Sequence, residues 1–295
     1  MADTPFDKSI VNPPAAGTPP DLNLLSLLDR SKTNGETGAN GETAVTAAAA
    51  SNDGCPPVLR NQGSYYHKVY STYGDWTGIS TVVTLGQPVQ DASRKGEKGR
   101  SLDGFSTYLG GNSVRGHEID AGLTWDMTLD KHGQKDNAHK AWRPFWRNGT
   151  WHNAPAEQRY EWQPGDQVRM SLNMVASGKL ELTICDLGAH PKRSFTTDFR
   201  TSGFSDLYKR YFKRVDSIDQ VGRENKSVVP TNAHVDGTDW QQTTLTRQDG
   251  TTAALTNGSR KVIDEPPNHV STTGSPQQRD KGGEDVDVFG ATKRS

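Results

Sequence analysis

The sequence has little apolar material for its size: 32% of its 295 residues are hydrophobic, against 30 glycines and 16 prolines, and its mean hydropathy is -0.79. A single globule of that length draws on a larger apolar share, so part of the chain is expected to stand outside any core. Charge of one sign is lacking too. Lys plus Arg is 34 and Asp plus Glu is 35, a net charge of -1, which offers no field to hold a nucleic-acid backbone or an anionic membrane. No run approaches the roughly 20 apolar residues that span a bilayer. The first twenty residues carry Asp3, Asp7 and five prolines where a Sec-type signal would place a basic start and an apolar run. The chain therefore reads as soluble, with its compartment left open. Cysteine is scarce: Cys55 and Cys185 are too few for a thiolate metal site and sufficient for one bridge if the protein is exported. A P-loop and a G-x-G-x-x-G between strand and helix are both missing, which argues against nucleotide chemistry, and no pair of the eight histidines has zincin spacing.

What is present is concentrated. Every aromatic residue except Phe6 and Phe289 lies between Tyr65 and Trp240, and all seven tryptophans are inside that window. Aromatic side chains supply large buried areas and are scarce in disordered chain, so one folded domain is expected at about 58–248. Residues 1–57 read as a mostly disordered tail, with the repeats Asn34-Gly35-Glu36-Thr37 and Asn40-Gly41-Glu42-Thr43 in a flexible linker. Within this tail, Asp21 as N-cap and the Leu22, Leu24, Leu25, Leu27 and Leu28 stripe predict a short helix over 21–29. That helix would either cap its own domain or dock as a peptide on a protein partner. Residues 249–295, with Pro266-Pro267, Gly274-Ser275-Pro276 and Lys281-Gly282-Gly283, read as a second mostly disordered tail. Val286–Phe289 is its one candidate edge strand.

Inside the domain the dominant pattern is alternation, with turn residues every 8 to 12 positions. Val168, Met170, Leu172 and Met174 alternate with Arg169, Ser171 and Asn173. After a turn at Ala176-Ser177-Gly178, Leu180, Leu182 and Ile184 alternate with Glu181 and Thr183, which predicts a hairpin with one wet and one dry face. Further strands are expected at 65–70, 78–85, 105–109, 117–125, 142–147, 159–162, 194–199 and 240–247, while 205–215 fits a strand or a short helix. About ten strands predict an all-β, two-sheet antiparallel sandwich of the jelly-roll, concanavalin A-like kind.

The most informative segment is Arg115-Gly116-His117-Glu118-Ile119-Asp120-Ala121-Gly122-Leu123-Thr124-Trp125-Asp126. In an extended strand Ile119, Ala121, Leu123 and Trp125 share one face, and Glu118, Asp120, Gly122, Thr124 and Asp126 share the other. Carboxylates aligned in this way suit acid/base work in a cleft, with Gly122 leaving a gap for a flat ligand. The plain alternative is a solvated charge row paired with Arg115 and nearby lysines. No cofactor is expected; calcium is the one ion that the oxygen ligands Asp120, Asp126, Asp130 and Asp136 would suit, although the spacing matches no EF-hand. A second group is aromatic: Trp142, Phe145, Trp146, Trp151, Tyr160 and Trp162. Rings exposed beside Arg143, Arg147, Asn148 and Asn153 would stack on pyranose faces, and rings turned inward would be core.

The Glu118-Ile119-Asp120 strand resembles that of laminarinase and lichenase-type retaining glycoside hydrolases, which implies a nucleophile at Glu118 and an assisting Asp120. The family's acid/base position is occupied here by Gly122. Arg115 with Glu118, and Tyr211-Phe212-Lys213 followed by Gln220, resemble parts of alginate-lyase-type jelly rolls. A longer succession resembles bacterial β-sandwich proteins of the YrpD type, usually found secreted. It runs from Glu118–Leu123 through Trp142-Arg143-Pro144-Phe145 and Gln163-Pro164-Gly165-Asp166-Gln167-Val168 to Phe212–Gln220, and it implies a fold and an extracellular setting rather than an activity. The leading expectation is a polysaccharide-binding sandwich using Glu118, Asp120, Arg115, Trp142, Trp146, Trp151 and Lys213. The alternatives are a carbohydrate-active hydrolase or lyase with Glu118 and Asp120, or Lys213 and Tyr211, as catalytic groups, and a protein-interaction scaffold.

Overall fold

The computed structural model describes residues 56, 62–96, 99, 101–114, 118–125, 128–129, 135–136, 140–187, 193–256 and 258–291. The Leu22–Leu28 segment, Cys55 and Arg115 lie outside the described residues. The fold is an all-β sandwich of two antiparallel sheets. The first sheet runs β16 (Arg260–Glu265), β1 (Ser64–Ser71), β13 (Arg210–Gln220), β4 (Asp103–Ser113), β5 (Ile119–Trp125), β8 (Trp142–Arg147) and β9 (Trp151–Asn153). The second runs β12 (Ser194–Arg200), β11 (Lys179–Asp186), β10 (Gln167–Ala176), β2 (Trp76–Thr84), β14 (His234–Arg247), β18 (Glu284–Phe289) and β17 (Val270–Thr273). In it β3 (Gln87–Val89) and β15 (Thr252–Ala254) also pair with β14. A two-stranded ribbon of β6 (Thr128–Leu129) and β7 (Lys135–Asp136) and a short helix α1 (Pro276–Asp280) complete it.

Period-two alternation builds the core as read from the sequence. Ile119, Ala121, Leu123 and Trp125 of β5 are buried with Val168, Met170 and Leu172 of β10 and Leu180, Leu182 and Ile184 of β11. The predicted hairpin is present, with Gly178 in its turn at φ 74°. Of the ambiguous stretch at 205–215, residues 205–209 form a turn and residues 210–215 open β13, which pairs with β4 over eleven residues. The strand expected at 159–162 is instead a 3-10 turn at Gln158–Tyr160 followed by a bridge from Trp162 to Trp142.

The reading of 249–295 as a mostly disordered tail is corrected. β15 to β18 and α1 occupy 252–289, and β18 is an inner strand between β14 and β17. Two forces place it there. Val286 and Val288 are buried in the core, and Glu284 is buried against Arg214 of β13. These strands are rich in Thr, Ser, Asp and Glu, so they are held mainly by backbone ladders and a few buried groups, which composition does not reveal.

The interior also carries a polar seam. From β1, His67 reaches Asp264 through Nδ1 (2.7 Å) and Glu284 through Nε2 (3.0 Å). Arg214 donates to Glu284, Arg260 approaches the same carboxylate at 3.5 Å, and Asp216 accepts from Trp240 Nε1 (2.5 Å) and Thr107 Oγ1 (2.8 Å). Burial by itself would lower the His67 pKa, but the two carboxylate hydrogen bonds outweigh it and raise it. Burial likewise opposes ionisation of Glu284, yet His67 and Arg214 hold its carboxyl well below the usual range.

Candidate functional site

Alternation sends the other half of each strand of the first sheet to its outer face, where six strands bring one row of side chains into register. Tyr70 of β1 pairs with Lys213 of β13, Lys213 with Gly110 of β4, Gly110 with Asp120 of β5, Asp120 with Arg147 of β8, and Arg147 with Trp151 of β9. The missing side chain at Gly110 lets Lys213 reach across to Asp120. A Cβ there would stand 2.7 Å from Lys213 Cε and 3.2 Å from Asp120 Oδ1. The neighbouring row carries Lys68, Val215, Tyr108, Gly122 and Phe145.

The ion pairs follow from this register. Lys213 Nζ lies 2.5 Å from Glu118 Oε1 and 2.6 Å from Asp120 Oδ1, so one ammonium bridges both carboxylates. Arg147 donates to the other Asp120 oxygen through Nε (2.9 Å) and Nη2. Lys68 Nζ stands 3.6 Å from Glu118 Oε1, beyond hydrogen-bond length. Lys213 is only 1% exposed, Glu118 23% and Arg147 44%, so the cluster runs from a dry base to an open rim. Burial would raise the Glu118 carboxyl, but Lys213 and Lys68 outweigh it and keep it ionised well below the usual carboxylate range. Burial also opposes charge on Lys213, yet Asp120 and Glu118 raise its pKa; on Lys68 burial prevails and the pKa is lowered. Burial, reinforced by nearby carboxylates, pushes the phenols of Tyr108 and Tyr211 well up, so both stay neutral.

These groups line one cavity of about 320 Å³, within the roughly 300–1,000 Å³ of ordinary ligand pockets. Its near end has aromatic walls: Tyr66, Tyr108, Phe145 and Trp151, with Phe145 and Trp151 stacked at 4.4 Å and Tyr108 edge-on to Phe145 at 5.8 Å. Its far end is hydroxylic. Asp219 accepts from Ser64 (2.8 Å), Ser106 (3.0 Å) and Ser217 (3.0 Å), and Gln62, Glu224 and Asn225 complete that wall.

Of the residues singled out in the sequence, Glu118, Asp120, Lys213 and Trp151 meet in this pocket. Trp142 and Trp146 do not. Trp142 is fully buried with its Nε1 on the Gly86 carbonyl (3.1 Å), and Trp146 packs on His152, Phe195 and Phe199, because even positions of β8 face the sandwich interior. Trp162 is core as well, its indole donating to Asp186. The gap expected at Gly122 belongs to Tyr108. A Cβ there would stand 2.5 Å from Tyr108 Cα, and the Tyr108 and Phe145 rings close over the position. The two Asp120 oxygens are taken by cations, which leaves it unsuited to calcium. Among the described residues no group of three or more His, Cys, Asp or Glu is placed to hold a metal ion. Among them, too, no helix is long and apolar enough to cross a membrane. Sequence reading missed Lys68, Tyr66, Tyr108 and Asp219. Alternation marks them as outward, but only the pairing of β1, β13 and β4 shows that they line the same pocket as Glu118.

No family model matches the chain, and no curated protein matches it. Among solved structures, scytalido-glutamic peptidase with a transition-state analogue inhibitor is similar at a TM-score of 0.49 and 12% identity, over 77% of this chain and 98% of that one. SCP-B, a member of the eqolisin family of peptidases, is similar at 0.47 and 12% over the same shares. The beta-porphyranase of the human gut bacterium Bacteroides plebeius gives 0.19 and 10%, over 57% of this chain and 56% of that one. At these values none of them assigns an activity to this chain.

Proposed function

We propose that the outer-face pocket binds a polysaccharide segment without cleaving it. The observation that supports this most is the union, in one cavity, of aromatic walls at Tyr66, Tyr108, Phe145 and Trp151 with fixed polar groups at both ends. Ring faces stack on pyranose C–H surfaces, while carboxylates, ammoniums and serine hydroxyls meet sugar hydroxyls. Turnover is disfavoured by the same geometry. A retaining hydrolase needs one carboxyl as proton donor beside a carboxylate nucleophile. Here Glu118 is held as an anion by Lys213, Asp120 shares that ammonium, and the third position of the resembling motif is Gly122.

The test is a glycan array followed by calorimetry on its hits and by reducing-end and unsaturated-product assays. Binding without product, weakened in Trp151→Ala, is expected. Turnover that disappears in Glu118→Gln would replace this reading with the enzymatic one, and a blank array would leave the domain as an interaction scaffold.

A further inference from the structure

The charges at the near end of the pocket do not balance. Among the described residues, three cations, Lys213, Arg147 and Lys68, meet two carboxylates, Glu118 and Asp120. Lys213 is fully engaged by short contacts, and Arg147 turns Nε and Nη2 to Asp120 while the rest of its half-exposed guanidinium stays open at the rim. The surplus falls on Lys68, whose ammonium keeps only a 3.6 Å approach to a carboxylate already bound by Lys213 and otherwise stands 5.0 Å from the Tyr66 ring centre. Its side chain is 12% exposed, on the pocket wall. A desolvated cation without a counter-charge of its own is unfavourable, and the deficit is removed when an anion arrives. The remaining acids of the pocket do not supply it. Asp219 pairs with Ser64, four residues along β1 from Lys68, about 13 Å at roughly 3.3 Å per residue, beyond the ~10 Å Debye length of 0.1 M salt. It is also already hydrogen-bonded by three serines, and Glu224 is exposed at that same far end.

From this we infer that the glycan is acidic, and that its anionic group, a uronate carboxylate or a sulfate ester, seats between Lys68 and Arg147 while its ring lies against Trp151. The inference rests on the glycan-binding reading and narrows it to a substrate class. The hydroxyl-rich Asp219 end would then take neutral hydroxyl groups of the adjoining residues.

Calorimetric titration with oligogalacturonates, alginate oligomers and sulfated galactan oligosaccharides, each beside its methyl-esterified or desulfated form, tests it on the unaltered protein. Cello- and xylo-oligosaccharides serve as neutral controls. The expected result is at least about tenfold tighter binding of one acidic class than of its neutralised form, a gap that narrows as salt is raised. Which class shows the gap identifies carboxylate or sulfate. Lys68→Met should abolish the gap and Lys68→Arg should keep it. If neutral or neutralised oligosaccharides bind as tightly as acidic ones, the inference fails while the glycan reading stands. If no oligosaccharide of any class binds, both fail.

Discussion

Lys213 and Arg214 are neighbours in β13, as His67 and Lys68 are in β1, yet each pair divides across the sheet and ends in a different kind of charge cluster. Inside the sandwich, Arg214, Arg260 and His67 face Glu284, Asp264 and Asp216. With His67 protonated the signs match, and the cluster ties β1 and β13 of one sheet to β18 of the other. Outside, the same two strands present Lys68 and Lys213 to only Glu118 and Asp120, with Arg147 added, and solvent reaches the rim. The inner cluster is matched within the fold, whereas the outer one keeps a cation that the proposed ligand would match. Adjacent residues are assigned to these tasks by nothing more than the two-residue period of the strand.

The comparison is most severely strained by Glu284→Gln. Arg214 is fully buried, and removing its counter-charge should lower stability by about 3–5 kcal/mol, read by denaturant unfolding. Glycan affinity of whatever remains folded should be unchanged. Next is Gly110→Ala. Its Cβ would press on the Ile119 carbonyl oxygen at 2.2 Å and on Lys213 at 2.7 Å, so a loss of about 1–3 kcal/mol is expected together with weaker ligand binding. Trp151→Ala should reverse that proportion: roughly tenfold weaker glycan binding, from lost stacking of about 0.5–1.5 kcal/mol, with little change in unfolding midpoint.

A smaller effect concerns pH. The folded pKa of His67 is raised, so its stabilisation is complete below the unfolded value of about 6.5 and is lost as pH climbs through the folded value. Glu284 behaves oppositely: its contribution is present above about 4.5 and is lost only as pH falls toward its depressed value. Asp216, raised by burial, adds a decline as pH climbs from its unfolded value of about 3.8 through its folded one. The melting midpoint should therefore fall as pH rises above about 6.5, and His67→Gln should flatten that slope. The smallest change is expected from Lys179→Ala, which breaks an exposed pair with Asp198 and should cost under about 0.5 kcal/mol.

Much of this fold is legible in the sequence wherever alternation is clean. The β10–β11 hairpin and the two faces of β5 read directly, because a buried apolar residue at every second position has few other solutions. The site was half legible. Glu118, Asp120, Lys213 and Trp151 could be named from residue type and spacing. Lys68 could not, because its role depends on β1 lying beside β13, more than a hundred residues away in the chain. Trp142 and Trp146 illustrate the opposite failure: both faces of β8 carry rings, and composition cannot say which is interior. Apart from Val286–Phe289, expected only as an edge strand, the C-terminal strands escaped notice because Thr, Ser and Asp at their outward positions resemble linker, while Val286, Val288 and Glu284 find their partners on β14 and β13.

Thermal melting of Lys68→Met, with and without a saturating acidic oligosaccharide, tests the division between the two clusters most directly. Without ligand its midpoint should equal or exceed that of the unaltered protein, since an unmatched charge is removed while Glu118 keeps Lys213, and the ligand-induced rise should vanish. A midpoint lowered by several degrees with the ligand-induced rise intact would show that the outer cluster, like the inner one, serves only to hold the sheet together.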